Sequence, residues 1–477
     1  MTLASFRKSL MTPSPIETLR AGVIGENLMI PGLDGDVAMV YADYVASGRA
    51  MRQVEDFIAT RVLPYYANSH TETSYCGAYI TNMRREARSE IARVTQAGPD
   101  HAVIFAGSGA TAGLNRLVAL LGVETAKRPV VFIGPYEHHS NVLPWRESKA
   151  LVVEIPESQR GGGPDLGILE AELASHASSD LLIGSFSAAS NVTGIVTDPD
   201  PVSRLLRAHG AVSVWDYAGG GPYLSIDMKA GSDAQKDAVV VSPHKFAGGP
   251  GGSGVLIVDQ GVVRRDRPSW PGGGTVSFVS PWGHDYSADL VEREEAGTPN
   301  VIGDIRAALA FLVKEAAGES AIVAREAAFN EMALAGWRDN PNLTLLGVTE
   351  PHRLPIFSFL VHDGAGAVVE PQLVTRMLSD VYGIQARGGC ACAGPYGHRL
   401  LGIDRDQSKD IHAALISGEL RLKPGWTRLN FSYLMSDDTA RFIIDSVNEL
   451  ARNIDRFGAR YQFDAASQQF IATGQAA

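Results

Sequence analysis

Ser242-Pro243-His244-Lys245 closes the apolar run Asp237–Val241 and leads into a glycine-rich turn that reaches Gly254. A lysine at the end of a buried strand, with small residues around it, can form an imine with an aldehyde. Burial and nearby positive charge lower its pKa enough for that. The plain alternative is a surface lysine in a loop. Three further pieces suit a cofactor that carries an aldehyde, a pyridine ring and a phosphate. Asp216 ends the run Val214-Trp215-Asp216 and can pair with a pyridinium nitrogen, keeping the ring an electron sink; capping a helix is its other reading. Gly107-Ser108-Gly109-Ala110-Thr111 falls where a strand gives way to a helix. There the first amides, at Gly109 and Ala110, and the Thr111 hydroxyl suit a phosphate. Glu137-His138-His139-Ser140-Asn141 offers an imidazole, His138, that can stack on the ring and move protons. A paired histidine is also a common structural or metal-ligand fragment, but no matching Cys/His cluster accompanies it, so no metal is expected.

These pieces need a scaffold that gathers strand ends. His101–Phe105, Val130–Ile133, Leu151–Ile155, Leu181–Ser187, Ala211–Trp215, Asp237–Val241 and Gly254–Val258 read as short apolar strands. Ala110–Leu121, Asp165–His176 and Pro199–Ala208 read as helices between them. Such alternation predicts an α/β fold of βαβ units with a mainly parallel sheet. Ligand chemistry is then expected at the carboxyl ends of the strands. Residues 261–300, rich in Gly, Pro and Ser, predict a long loop region. Further on, helical runs at Ile305–Ala316 and Ala324–Ala335, a strand at Ile356–Val361 and a helix at Asp437–Ile454 predict a smaller α+β domain. The expected organisation is an N-terminal arm over 1–35, broken by Pro13, Pro15 and Pro31, a large cofactor-binding domain over 36–305, and a small domain over 306–477.

Composition narrows the class. The 477 residues are 45% hydrophobic and 20% charged, which is ordinary globular usage with room for two or three domains. A net charge of -11 without a long basic run argues against nucleic-acid binding. No apolar run reaches membrane-span length, and the first twenty residues lack the apolar core of a signal peptide. Three cysteines, Cys76, Cys390 and Cys392, are too few and odd in number for a disulfide framework. They predict a reducing compartment, the cytoplasm.

In chain order, the glycine–threonine turn, EHHSN at 137–141, SNVTG at 190–194, Asp216, SPHK at 242–245, EAGTPN at 295–300 and a C-terminal cysteine loop resemble the class V aminotransferases of the pyridoxal-5′-phosphate (PLP) fold-type I superfamily, over roughly residues 40–435. The resemblance implies a seven-stranded-type sheet in the large domain, PLP as cofactor and Lys245 as its Schiff-base anchor. It implies that Ser242 and His244 bind the phosphate and that Asn191 contacts the ring oxygen or the substrate carboxylate. Thr298 is expected to reach the phosphate of a neighbouring subunit, which implies a homodimer with shared active sites. Arg428, in WTRLNFSY, is expected to hold the substrate α-carboxylate in a bidentate pair, a structural salt bridge being its alternative. In the stretch 65–88, Asn68, His70 and Thr71 are expected at the substrate mouth, and Cys76 as a small buried residue.

The subgroup most resembled is the cysteine desulfurases and selenocysteine lyases, with the molybdenum-cofactor sulfurases related. In Ala386–His398, ARGGCACAGPYGH, Arg387 and Gly389 match an R-x-G-x-x-C spacing that puts Cys392 at the nucleophile's position. Arg387 is expected near the thiol and the substrate, where it favours thiolate. Cys390 is a second thiol relay or a small buried residue. The implied reaction takes L-cysteine to alanine. Lys245 removes the Cα proton, His138 protonates intermediates, and a persulfide is left on Cys392 for a sulfur-acceptor protein. Two departures keep another class V reaction (epimerase, β-lyase or aminotransferase) as the alternative. Glycines follow Asp216 where a glutamine is expected, and Ala110-Thr111-Ala112 stands where paired threonines and a glutamate are favoured.

Overall fold

Short runs dominated by Val, Ile and Leu build the main sheet. Its strands are β1 His101–Gly107, β2 Pro129–Ile133, β3 Leu151–Glu154, β4 Leu181–Ser187, β5 Val212–Asp216, β6 Ala238–Val241 and β7 Gly254–Asp259. In this computed structural model, which describes residues 2–69, 72–159, 162–347 and 353–473, the spatial order is β1-β7-β6-β5-β4-β2-β3. β7 runs antiparallel to both β1 and β6. The other pairings are parallel. Every residue of β4, β5 and β6 is buried. This is why they read as continuous apolar runs rather than alternating ones. The helix α1, Gly109–Leu120, lays Leu114, Leu117 and Leu120 against Ile104, Val240 and Leu256. The carboxyl ends of β1, β2, β4, β5 and β6 all fall on one edge, and the residues singled out above follow four of them.

The chain forms two compact units. One comprises residues 1–24, 47–189 and 196–321; the other comprises 25–46, 190–195 and 322–477. These units do not follow the sequence boundaries at 35 and 305. The first 24 residues form helices Leu3–Leu10 and Pro15–Arg20, with Leu3, Phe6, Leu10 and Leu19 buried. Pro15 stands at the first helical position, where its missing N–H costs nothing, so it starts a helix instead of breaking one. Residues 261–300 are not loop throughout. They hold the hairpin Val276–Ser280/Gly283–Tyr286 and the helix Leu290–Glu294.

The second unit has a four-stranded antiparallel sheet of β8 Leu343–Leu345, β9 Ile356–Val361, β10 Arg387–Gly389 and β11 Trp426–Asn430, in the order β8-β9-β11-β10. Helices α2 Pro371–Tyr382 and α3 Asp437–Arg452 close its core, with Met377, Leu378, Ile443 and Val447 packed among Phe357, Phe359 and Leu429. Residues 25–46 join this unit through Val40–Tyr41, which pairs in parallel with Ile384–Gln385. Among the described residues no helix is long and apolar enough to cross a membrane.

Candidate active site

In the first unit, the tight turn after β1 depends on Gly109, whose φ of +61° favours glycine. A Cβ there would lie 2.9 Å from Ser242 Oγ and 3.3 Å from His244 Cε1. The amide end of α1 is thereby brought against the turn that carries Lys245. The Ala110 N–H donates to Ser242 Oγ at 2.9 Å, which leaves the serine its own proton to donate. Thr111 Oγ1 lies 2.7 Å from Ser140 Oγ. Burial, then the charge of Lys245, lowers the pKa of His244.

Asp216 ends β5 and is 3% exposed. Its Oδ1 accepts the Ala218 N–H at 2.7 Å, and no helix follows for it to cap. Burial raises its pKa, opposed by that hydrogen bond and by the charge of Lys245, so carboxylate and amine sense each other. Lys245 is half-buried on a single helical turn, Pro243–Lys245. His138 is half-buried, and its Nδ1 accepts the Ser140 N–H at 3.1 Å. In the neutral ring that bond assigns the proton to Nε2. Thr298 is exposed, in the loop before the helix Val301–Ala317. Asn68 is exposed and Cys76 half-buried, while His70 and Thr71 lie outside the described residues.

Glu137 has a role that the sequence reading missed. It is 3% exposed, and its oxygens accept from Ser187 N at 2.8 Å, Ser187 Oγ at 2.5 Å and Asn141 Nδ2 at 2.6 Å. Burial pushes its carboxyl up to about 7 against those donors, and the charge of Asp216 adds to the shift. A carboxyl raised from 4.5 in the folded state favours folding below 4.5 and loses that contribution as pH rises through about 7. Thermal melting should therefore show a fall in stability over that window that Glu137→Gln lacks. A wild-type minus variant difference that stays flat with pH would refute this.

The second unit carries a separate constellation. Arg428 on β11 and Arg387 on β10 are directly opposed cross-strand partners. Between them lies Asp43, a second residue missed in sequence. Asp43 Oδ1 accepts from Arg428 NH2 at 3.1 Å, and its Oδ2 accepts from Arg387 Nε at 2.9 Å. Arg428 is 4% exposed and also donates to the Asn191 carbonyl at 3.0 Å. Burial lowers its pKa, and Asp43 opposes that. Asn191 Nδ2 donates to the Ala391 carbonyl at 2.8 Å, while its buried Oδ1 has no hydrogen-bond partner among the described residues. Ala391 and Cys392 are consecutive left-handed residues, with φ of +49° and +55°. Cys392 is exposed, Cys390 is half-buried, and all three cysteines are unpaired. An aspartate inside the run Val40–Ala46, otherwise apolar but for a pair of tyrosine hydroxyls, was the available signal for Asp43. A buried carboxylate there requires a partner.

Comparison with known proteins bears on this geometry. The family profile described as Aminotransferase class-V matches residues 40–405. The chain is 27% identical over 375 residues to a probable cysteine desulfurase of Halalkalibacterium halodurans, covering 77% of this chain and 88% of that protein. It is 30% identical over 363 residues to a cysteine desulfurase of Dickeya dadantii, covering 75% and 84%. Among solved structures, its fold is similar to an apo cysteine desulfurase of Thermococcus onnurineus, with a TM-score of 0.72 at 22% identity over 87% of this chain and 95% of that one. It is also similar to a cysteine desulfurase of Escherichia coli, with a TM-score of 0.68 at 21% identity over 96% and 99%.

Proposed function

Because the chain belongs to the class-V aminotransferase family and is a PLP-dependent enzyme, we propose that it takes sulfur from L-cysteine, giving alanine and a persulfide on Cys392. The observation that carries the reading is the second unit's loop, which holds an exposed thiol at Cys392 beside the Asn191 and Arg387–Asp43–Arg428 network. The curated names of the similar proteins support it.

The first unit's residues fit PLP. The contact between Gly109, Ser242 and His244 is too close for a Cβ, and it gathers helix amides, a serine proton and an imidazole suited to a phosphate. Asp216 offers a buried carboxylate on one backbone N–H, and Lys245 a nearby amine. In this reading Gly109, Ala110, Thr111, Ser242 and His244 hold the phosphate, Lys245 is the covalent anchor, and Asp216 holds a proton at the pyridine nitrogen. When bound, the cofactor supplies an electron sink for the pair left at Cα.

The protein's own groups do the rest. Lys245 would take the Cα proton, and His138, with its proton on Nε2, would stack on the ring and return protons. Asn191 contacts the ring oxygen or the substrate carboxylate, and Arg428 with Arg387 anchors that carboxylate. The Cys392 thiolate attacks the substrate sulfur. A sulfur–sulfur bond forms and the carbon–sulfur bond breaks. The electron pair stays with carbon, and a proton completes alanine. A thiol-bearing acceptor protein then takes the outer sulfur. Thr298 reaches the phosphate of the partner subunit in a homodimer, and a reducing cytoplasm keeps the thiols free.

Product analysis tests the reading. Purified protein with PLP, L-cysteine and dithiothreitol should give alanine and sulfide in equal amounts. Cofactor bound without alanine would overturn it and turn attention to racemised, deaminated or β-cleaved products.

A further inference from the structure

Arg387 and Arg428 face each other across two antiparallel strands. Opposed side chains of like charge in that register repel. Asp43 gives one carboxylate oxygen to each guanidinium. Its position is fixed from both sides. The Asn430 N–H donates to the Ala42 carbonyl at 2.8 Å, the Val45 N–H donates to Asn430 Oδ1 at 3.0 Å, and the Ala42 N–H donates to the Gln385 carbonyl at 3.0 Å. The carboxylate is thus a built-in counter-ion, stitched to β11 itself and to the strand Ile384–Gln385. Among these three side chains two guanidiniums and one carboxylate leave a single positive charge, and the Cys392 thiol, which both guanidiniums also sense, is common to every variant below.

We infer that Asp43 is a specificity-determining residue: by cancelling one of the two arginine charges it matches the clamp to amino acids with one carboxylate and disfavours those with two. The inference rests on the reading of Arg428 and Arg387 as the carboxylate anchor. One substrate carboxylate neutralises the remaining charge. A second would bring an uncompensated anion toward Arg428 and Asp43, which are 4% and 8% exposed and poorly screened by water. Arg387 has a half-exposed side chain, so its share of the effect is reduced by solvent.

The test titrates PLP-loaded protein with L-alanine and with L-aspartate, following the visible absorbance of the cofactor, and compares the ratio of their dissociation constants. Asp43→Asn raises the clamp charge by one, and the ratio should move toward L-aspartate by ~10-fold. Asp43→Glu should restore the wild-type ratio. Arg387→Gln lowers the charge by one and should move the ratio the other way. An unmoved ratio in Asp43→Asn, with both ligands still binding, overturns the inference and leaves Asp43 a structural salt bridge. If Asp43→Asn does not fold, the ratio in Arg387→Gln decides alone. Failure of the underlying reading looks different: wild-type protein would bind neither ligand, or Arg428→Lys would bind both as the wild type does.

Discussion

Lys245→Ala should give a folded protein in which borohydride reduction no longer fixes cofactor mass to the peptide containing Pro243–Phe246, and alanine formation should fall by at least ~10³-fold. Folding should survive because two contacts that anchor this turn are made by its neighbours. Phe246 is buried against Phe311, with ring centroids 5.1 Å apart, and the His244 carbonyl accepts the Gly48 N–H at 2.9 Å. Both contacts are untouched by the substitution. What is lost is an amine whose charge is felt at Asp216 and His244. Removing it takes away one of the influences that hold the Asp216 pKa down, so the carboxylate proposed to face the pyridine nitrogen is weakened together with the proposed base. Peptide mass spectrometry after reduction separates anchor from base. Cofactor mass recovered on another lysine would refute the assignment of Lys245.

The second large effect is at Cys392. Cys392→Ser should reduce sulfide and alanine together by ~10³-fold or more, because a serine hydroxyl stays protonated at neutral pH and is a poor nucleophile toward sulfur. The exchange is nearly isosteric and the residue is exposed, so melting should be unchanged. Cys390→Ser should leave both products within ~3-fold of wild type, since Cys390 is half-buried two residues before the thiol proposed to react. Alkylation of the outer sulfur followed by peptide mapping should find the persulfide on Cys392. Its appearance on Cys390, or full turnover by Cys392→Ser, would move the nucleophile.

The large sheet was legible because its inner strands are buried on both faces and therefore read as unbroken apolar runs. The same physics hid the hairpin Val276–Ser280/Gly283–Tyr286. Phe278, Val279 and Trp282 are all exposed, so no inside–outside alternation marks it. Pro15 misled because a proline that begins a helix and one that ends it look the same until the following turn is seen. Around the site, Lys245, Asp216, His138 and the glycine turn each carried a local signature at a strand end. Asp43 showed only a carboxylate inside an apolar run, without its partner, since Arg428 lies 385 residues away. Glu137 sat inside a motif already noticed, yet two of the three donors that hold it come from Ser187, on β4. Local chemistry can be read from neighbours along the chain; a counter-ion across a sheet cannot.

The resting pose of the cysteine loop has an energetic meaning of its own. Two adjacent residues with side chains, Ala391 and Cys392, are held in a backbone region that costs about 1–2 kcal/mol each. The clasp from the Asn191 amide to the Ala391 carbonyl returns only about 1 kcal/mol. The Ala393 N–H adds a second tie to the Cys390 carbonyl at 3.1 Å, so the loop's pose carries backbone strain held by a pair of hydrogen bonds. If Cys392 is the nucleophile proposed above, leaving this pose relieves backbone strain at the cost of those hydrogen bonds.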